Sequence, residues 1–249
     1  MIDAVIFDLD GVIMDSEQLW DQARRETVEE HQGIWPEGAT QAMQGMSSKE
    51  WAAYLRDRAR VDLSTDEIVA GVLQKLLASY RGGLPLIPGA VEAVQRISQT
   101  WPLGLASSSN REVIDTVLEL SGLVDRFAAT VSSEEVPRGK PAPDVYVEAA
   151  RRLGVPPSKC SAVEDSANGI RSASTATTCV VAVPNPHYPP DGQALSRADL
   201  VLSSLDELTA EAIAMADRLR NARKEDQIDE AEVESFPASD PHSDWAGPP

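Results

Sequence analysis

Four short stretches of this chain carry side chains that could do chemistry together. The first is Asp8-Leu9-Asp10-Gly11, two carboxylates two residues apart with a glycine behind them. The second is Ser107-Ser108-Ser109-Asn110, the third is Lys140 in Arg138-Gly139-Lys140-Pro141-Ala142-Pro143-Asp144, and the fourth is Glu164-Asp165-Ser166. A carboxylate such as Asp8 can act as a nucleophile. A second one, Asp10, can give a proton to a leaving oxygen and later take one from an attacking hydroxyl or water. Asp8, Glu164 and Asp165 converging on one point would repel each other unless a cation sits between them. An all-oxygen set of that kind favours Mg²⁺, usually shared with a substrate phosphate. Ser107, Ser108 and Asn110, with backbone N–H groups at the next helix start, could hold phosphate oxygens. Lys140 could neutralise charge on a transferring group and on the attacked carboxylate. Each stretch has a plainer reading on its own: a turn, a helix cap, a loop lysine, an acidic helix start.

The elements around these stretches give a reason to place them together. Residues 4–7 (Ala-Val-Ile-Phe) form an apolar run that reads as a buried parallel strand. From Pro88 onward strands and helices alternate. Strands are expected at 102–106, 128–131, 160–163 and 179–183, with a short edge strand at 200–202. Helices are expected at 89–98, 111–120, 143–153, 167–174 and 205–220. Alternation of this kind predicts an α/β fold with one parallel sheet covered on both faces. Ligands of such sheets bind beyond the carboxyl ends of the strands, and all four stretches fall there.

Residues 15–83 differ. Helices are expected at 16–30, 48–59 and 68–80, separated by Gly33, Pro36 and Gly38 and by the Ser64-Thr65-Asp66-Glu67 cap, with no strand. They read as a helical insertion. Residues 224–249, rich in Glu, Asp, Pro, Ser and Ala, read as a disordered acidic tail in which Phe236 and Trp245 are isolated aromatics.

Composition narrows the function. The 249 residues carry 40 Asp and Glu against 22 Lys and Arg, a net charge of −18. That excludes a nucleic-acid partner, which needs a basic face, but a metal ion can reverse the field locally for a small anionic substrate. No apolar run reaches the length of a membrane span. The N-terminus enters the first strand with no basic region or cleavage site, so no secretory signal is expected. Cys160 and Cys179 give neither a disulfide framework nor a metal-ligand spacing. A cytoplasmic monomer acting on a small phosphorylated substrate is the expectation.

Taken in order, the set resembles the haloacid dehalogenase-like hydrolase superfamily over about residues 3–210, within it the β-phosphoglucomutase and sugar-phosphate phosphatase group. The resemblance implies a Rossmann-like core of residues 1–14 and 84–223 with a helical cap domain, 15–83, inserted after the first strand. It makes Asp8 the nucleophile, Asp10 the general acid and base, Ser107 the strand-end hydroxyl and Lys140 the conserved-role lysine. Asp8, the backbone carbonyl of Asp10, Glu164 and Asp165 would hold Mg²⁺. Dehalogenases lack an acid at the position of Asp10, so phosphoryl transfer is implied. Gln44-Gly45-Met46-Ser47-Ser48 would be the cap loop facing the site, with Gly45 against the substrate. Trp20 stands where the mutases carry a histidine, Gln44 where they carry a basic residue, and Lys49 is the nearest cap cation. These departures favour a phosphatase over a phosphosugar mutase. The intact acidic set speaks against a third reading, a non-catalytic binding protein on the same fold.

Overall fold

The computed structural model describes residues 1–43, 46–186 and 189–235. Six strands form one sheet: β1 (Ala4–Phe7), β2 (Leu103–Ser107), β3 (Phe127–Ser132), β4 (Cys160–Glu164), β5 (Cys179–Ala182) and β6 (Leu200–Val201). Their order is β3-β2-β1-β4-β5-β6, and every pairing is parallel. The chain turns back on its own order beside β1, so β1 and β4 flank the crevice in which such sheets bind ligands.

The sheet is buried on both faces, and the alternation of its side chains shows how. Val5 and Phe7 of β1, Leu103 and Leu105 of β2 and Val181 of β5 point into one core. There they meet α5 (Ala90–Ile97), α6 (Arg111–Ser121) and α10 (Ala210–Ser235). Ala4, Ile6, Ala106, Ala162 and Ala182 point the other way. These small residues let α7 (Asp144–Leu153) and α8 (Ala167–Thr175) lie close on that face through Val145, Tyr146, Ala149 and Ile170. Strands buried on both sides read as continuous apolar runs for this reason.

Between β1 and α5 the chain forms α1 (Glu17–Glu30), α2 (Ala39–Met43), α3 (Ser48–Arg58) and α4 (Thr65–Gly82). Full capping boxes open α3 at Ser47 and Glu50, and α4 at Ser64 and Glu67. The segments that enter and leave this helical insertion are tied to each other. Met14 pairs antiparallel with Leu86, Asp15 donates its N–H to Pro85, and Ile87 donates to Ile13.

A short helix, α9 (Gly192–Leu195), precedes β6. The last helix departs most from expectation. It runs to Ser235, past Lys224, where a disordered tail was expected to begin. Ala, Arg, Lys, Glu and Gln in this stretch are strong helix formers. A helix already docked on the sheet extends without a new nucleation step. Phe236 and Trp245 lie outside the described residues.

Candidate active site

β1 delivers Asp8 to the sheet's carboxyl edge, where its N–H still donates to Val163 O of β4 at 3.0 Å. The chain then turns tightly, with Ile13 and Met14 both donating to Leu9 O. Gly11 makes that turn possible, at φ +85°. It also has no room for a side chain, since a Cβ there would lie 1.9 Å from Asp165 Oδ2. The turn therefore presses the first acidic stretch against the fourth.

Lys140 joins the two. Its Nζ lies 2.8 Å from Asp8 Oδ1 and 2.6 Å from Glu164 Oε1, and Tyr146 donates its hydroxyl to the same Glu164 oxygen at 2.7 Å. The other oxygen, Oε2, accepts from the backbone N–H groups of Asp165 and Ser166 and from the Ser166 hydroxyl. Glu164 is thus fully buried with both oxygens engaged. Asp165 differs: its Oδ1 is buried without a hydrogen bond. Asp8 Oδ1 likewise makes no hydrogen bond beyond its ion pair with Lys140.

Asp8, Glu164 and Asp165 each offer an oxygen within 4.8 Å of the others. Three buried carboxylates against one ammonium leave a net negative site. Burial, and then the charge of Glu164, pushes the Asp8 carboxyl up to about 8. The same two causes hold Asp165 well above the usual carboxylate range. Burial works to discharge Lys140, but the charges of Asp8 and then Glu164 win and raise it. Orphaned carboxylate oxygens in an over-negative pocket fit a hard divalent cation.

This electrostatics predicts a pH dependence. Folded Asp8 binds its proton more tightly than the unfolded chain, whose ordinary value is 3.8. That stabilisation is complete below about pH 4 and is lost as pH rises through about 8. The melting temperature in chelator should fall from about pH 5 to about pH 8.5, and the fall should be shallower in Asp8→Asn. A divalent cation replaces the proton. Supplied about a hundredfold above its dissociation constant, it should raise the midpoint by roughly 5–10 °C at the alkaline end. A chelated protein whose midpoint is flat in pH, or indifferent to cation, would contradict this account.

Asp10 faces the same cavity and is held from two sides. Ser16 and, at 3.4 Å, the Trp20 indole N–H donate to Oδ1. Ser109 at 2.6 Å and Ser107 at 3.4 Å donate to Oδ2. Trp20 thus reaches the acid from α1, where its indole can only donate. Ser107 is fully buried behind Asp10, and its Oγ accepts from Ser109 N–H. Ser109 was legible only as part of the serine run.

The cavity holds about 350 Å³, enough for a small metabolite. Asp8, Asp10, Ser108, Lys140, Asp165 and Trp20 line it. Ser107, Asn110 and Glu164 are not among its lining residues. Asn110 is instead a bridge: it accepts from Ser48 of α3 at 2.7 Å and donates to Glu134. Gly45 and Gln44 lie outside the described residues. Lys49, expected as the nearest cation of the insertion, is exposed. Besides Lys140, Arg24 of α1 lines the cavity, a cation of the insertion that the sequence did not single out.

Residues 2–177 match the family model of the haloacid dehalogenase-like hydrolases. The chain belongs to that family. It is similar to "Hexitol phosphatase B" of Escherichia coli, 35% identical over 218 residues that cover 83% of this chain and 94% of that protein. A Drosophila melanogaster relative named "Probable pseudouridine-5'-phosphatase" is 30% identical over 217 residues, covering 84% of this chain and 93% of that protein. Among solved structures, a β-phosphoglucomutase from Clostridium difficile superposes with a TM-score of 0.77 at 23% identity. It covers 89% of this chain and 100% of that one, a likeness of fold. The present haloacid dehalogenase-like hydrolase is a phosphohydrolase. No described helix is long and apolar enough to cross a membrane.

Proposed function

We propose that this hydrolase removes phosphate from a small phosphorylated sugar or polyol through an aspartyl-phosphate on Asp8, with Mg²⁺ as its metal. One observation carries the reading. Asp8 is buried against Lys140 at the cavity floor, while Asp10, two residues on, faces the same cavity from a cage of hydroxyl and indole donors.

An Asp8 oxygen attacks phosphorus, and the bond from phosphorus to the substrate oxygen breaks. Asp10 gives its proton to that departing oxygen, which leaves as an alcohol. Asp10 then takes a proton from water as the water oxygen attacks the phosphorus of the aspartyl-phosphate. The Asp8–phosphorus bond breaks, returning the carboxylate and releasing inorganic phosphate. Lys140 orients Asp8 and offsets charge on the phosphoryl group. Ser108 stands on the cavity wall with Asp8 and Asp10, where its hydroxyl would donate to phosphate oxygens. Asp165, whose Oδ1 makes no hydrogen bond, and Asp8 would hold Mg²⁺ beside Glu164. When bound, it supplies positive charge to the phosphoryl oxygens.

Residues 15–83 would serve as a cap that covers the site and excludes water, hinged at the paired segments around Met14 and Leu86. A phosphosugar mutase would use the same two aspartates with a sugar hydroxyl in place of water. The names of the relatives support water as the acceptor. Two buried free thiols, Cys160 and Cys179, both pushed up to about 12 mainly by burial, fit a reducing cytoplasm, where we place the protein as a monomer.

Phosphate release from a panel of sugar and polyol phosphates, with Mg²⁺ and with chelator, tests the reading. Magnesium-dependent free phosphate is expected. Isomerised sugar phosphate without free phosphate would overturn it in favour of the mutase.

A further inference from the structure

α1 buries Trp20, Ala23, Arg24, Thr27 and Val28, a stripe of helical spacing in which one residue is charged. Arg24 is 7% exposed. Its guanidinium carbon lies 5.1 Å from the centres of both the Trp20 and the Trp51 rings. The rings meet edge to face, 6.1 Å apart. They offer π density to a cation but no hydrogen-bond acceptor. Arg24 Nε is buried without a partner. Among the described residues the side chain makes no hydrogen bond and no ion pair. Glu17, Asp21 and Asp10 act on it only across space.

The next residue shows what a satisfied arginine looks like here. Arg25 donates to Asp21 at 2.6 Å and to Thr40 at 3.1 Å, and it stacks 4.3 Å from the Trp35 ring centre. Asp21 is thereby committed to Arg25. Arg24 is left as a cation with no carboxylate in contact, Glu17 of the same wall reaching it only across space, clamped between two rings in the cavity that also holds Asp8 and Lys140.

We propose that Arg24 binds a second anionic group of the substrate, a carboxylate or phosphate remote from the phosphoryl group being removed, and so selects a sugar-acid phosphate or sugar bisphosphate. The inference rests on the phosphohydrolase reading above. The protein has already desolvated this guanidinium in folding. An arriving anion meets a cation with little water to displace and no hydrogen bond or ion pair to break, held in place by its flanking rings. A neutral hydroxyl in the same place leaves the buried charge uncompensated. Hydrogen bonds to a charged group then separate the two substrates by about 10- to 100-fold.

The test uses three probes on one six-carbon frame: glucitol 6-phosphate, gluconate 6-phosphate and glucitol 1,6-bisphosphate. They differ at C1, which carries a hydroxyl, a carboxylate or a second phosphate. The full chain with Mg²⁺ near neutral pH should show kcat/KM at least about tenfold higher for one anionic probe than for glucitol 6-phosphate. Preference for gluconate 6-phosphate would identify a carboxylate site, and preference for the bisphosphate a phosphate site. Arg24→Gln should bring the ratio close to one, chiefly by raising KM for the anionic probe. Arg24→Lys, which keeps the charge but not the fork, should retain part of the preference.

A wild type that favours the neutral probe, or treats all three alike, overturns the inference. So does an Arg24→Gln variant that weakens all three equally, the mark of a packing role. Should that variant fail to fold, the wild-type ratio and Arg24→Lys decide. Failure to release phosphate from any probe or from p-nitrophenyl phosphate would instead overturn the phosphohydrolase reading itself.

Discussion

Replacing Asp8 with asparagine is expected to lower turnover of any phosphorylated substrate by at least about 10⁴-fold while leaving the fold intact. An amide of the same shape keeps the packing at the end of β1 but is too weak a nucleophile to form the aspartyl-phosphate. Stability should not suffer. Asp8 is a buried carboxylate whose charged form is disfavoured first by burial and then by Glu164, so a neutral residue relieves that cost in the metal-free protein. Its melting temperature in chelator should equal or exceed that of the wild type near pH 8. The variant should also bind a divalent cation more weakly, because one of three carboxylates is gone. Raising the cation concentration separates the two roles. If Asp8 were a ligand alone, saturating Mg²⁺ would restore turnover; if it is the nucleophile, activity stays low. Phosphate release by Asp8→Asn within tenfold of wild type would end the nucleophile assignment.

The residues proposed for this chemistry were legible because strand ends have few alternatives. A short apolar run ending in Asp-Leu-Asp-Gly leaves Asp8 at the sheet edge whatever the rest of the chain does. The parallel order then brings Lys140, Glu164 and Asp165 to it. What the strand pattern could not show is which oxygen is already engaged. Glu164 and Asp165 are adjacent acids in sequence, yet one is bonded by Lys140, Tyr146 and two backbone N–H groups, and the other has an oxygen without a hydrogen bond. Tyr146 gives no sign of its role, since it is one apolar position on a helix face. Asn110 looked like a phosphate ligand from its place after the serines. It is instead taken up by Ser48 and Glu134, partners 62 and 24 residues away in sequence.

Arg24 was the costlier oversight, and a signal for it existed. Positions 20, 23, 24, 27 and 28 are spaced as one buried face of α1. A charged residue on such a face asks to be explained. Arg24 and Arg25 are neighbours in sequence, yet Arg24 is buried against the Trp20 and Trp51 rings while Arg25 is held by Asp21 and Thr40. With Arg24 the insertion does bring a cation to the cavity, so the proposal of water as acceptor rests on the names of the relatives.

Lys140→Met is expected to damage both stability and turnover, the opposite of the separation expected at Asp8. The ammonium is nearly inaccessible, with its side chain 3% exposed, and its Nζ sits within 2.8 Å of Asp8 and 2.6 Å of Glu164. Its removal strands two buried carboxylates with no nearby cation. Breaking a buried pair in this way costs about 3–5 kcal/mol, which for a chain of this size is roughly 10 °C in melting temperature. The loss should grow with pH, because Asp8, pushed up to about 8 by burial and then by Glu164, can take up a proton below that value and cannot above it. Mg²⁺ should recover part of the stability, since it supplies positive charge to the same oxygens, but little of the activity. Lys140→Arg should not substitute. A planar fork cannot place one nitrogen between two oxygens inside a space already closed by the Tyr146 ring, 5.1 Å from Nζ. Turnover in Lys140→Met should fall by at least about 10³-fold, as expected when a preorganised charge at the reacting group is lost. A variant that melts within a degree of wild type in chelator, and still turns over within tenfold of it, would show that Lys140 neither holds Asp8 in place nor offsets its charge.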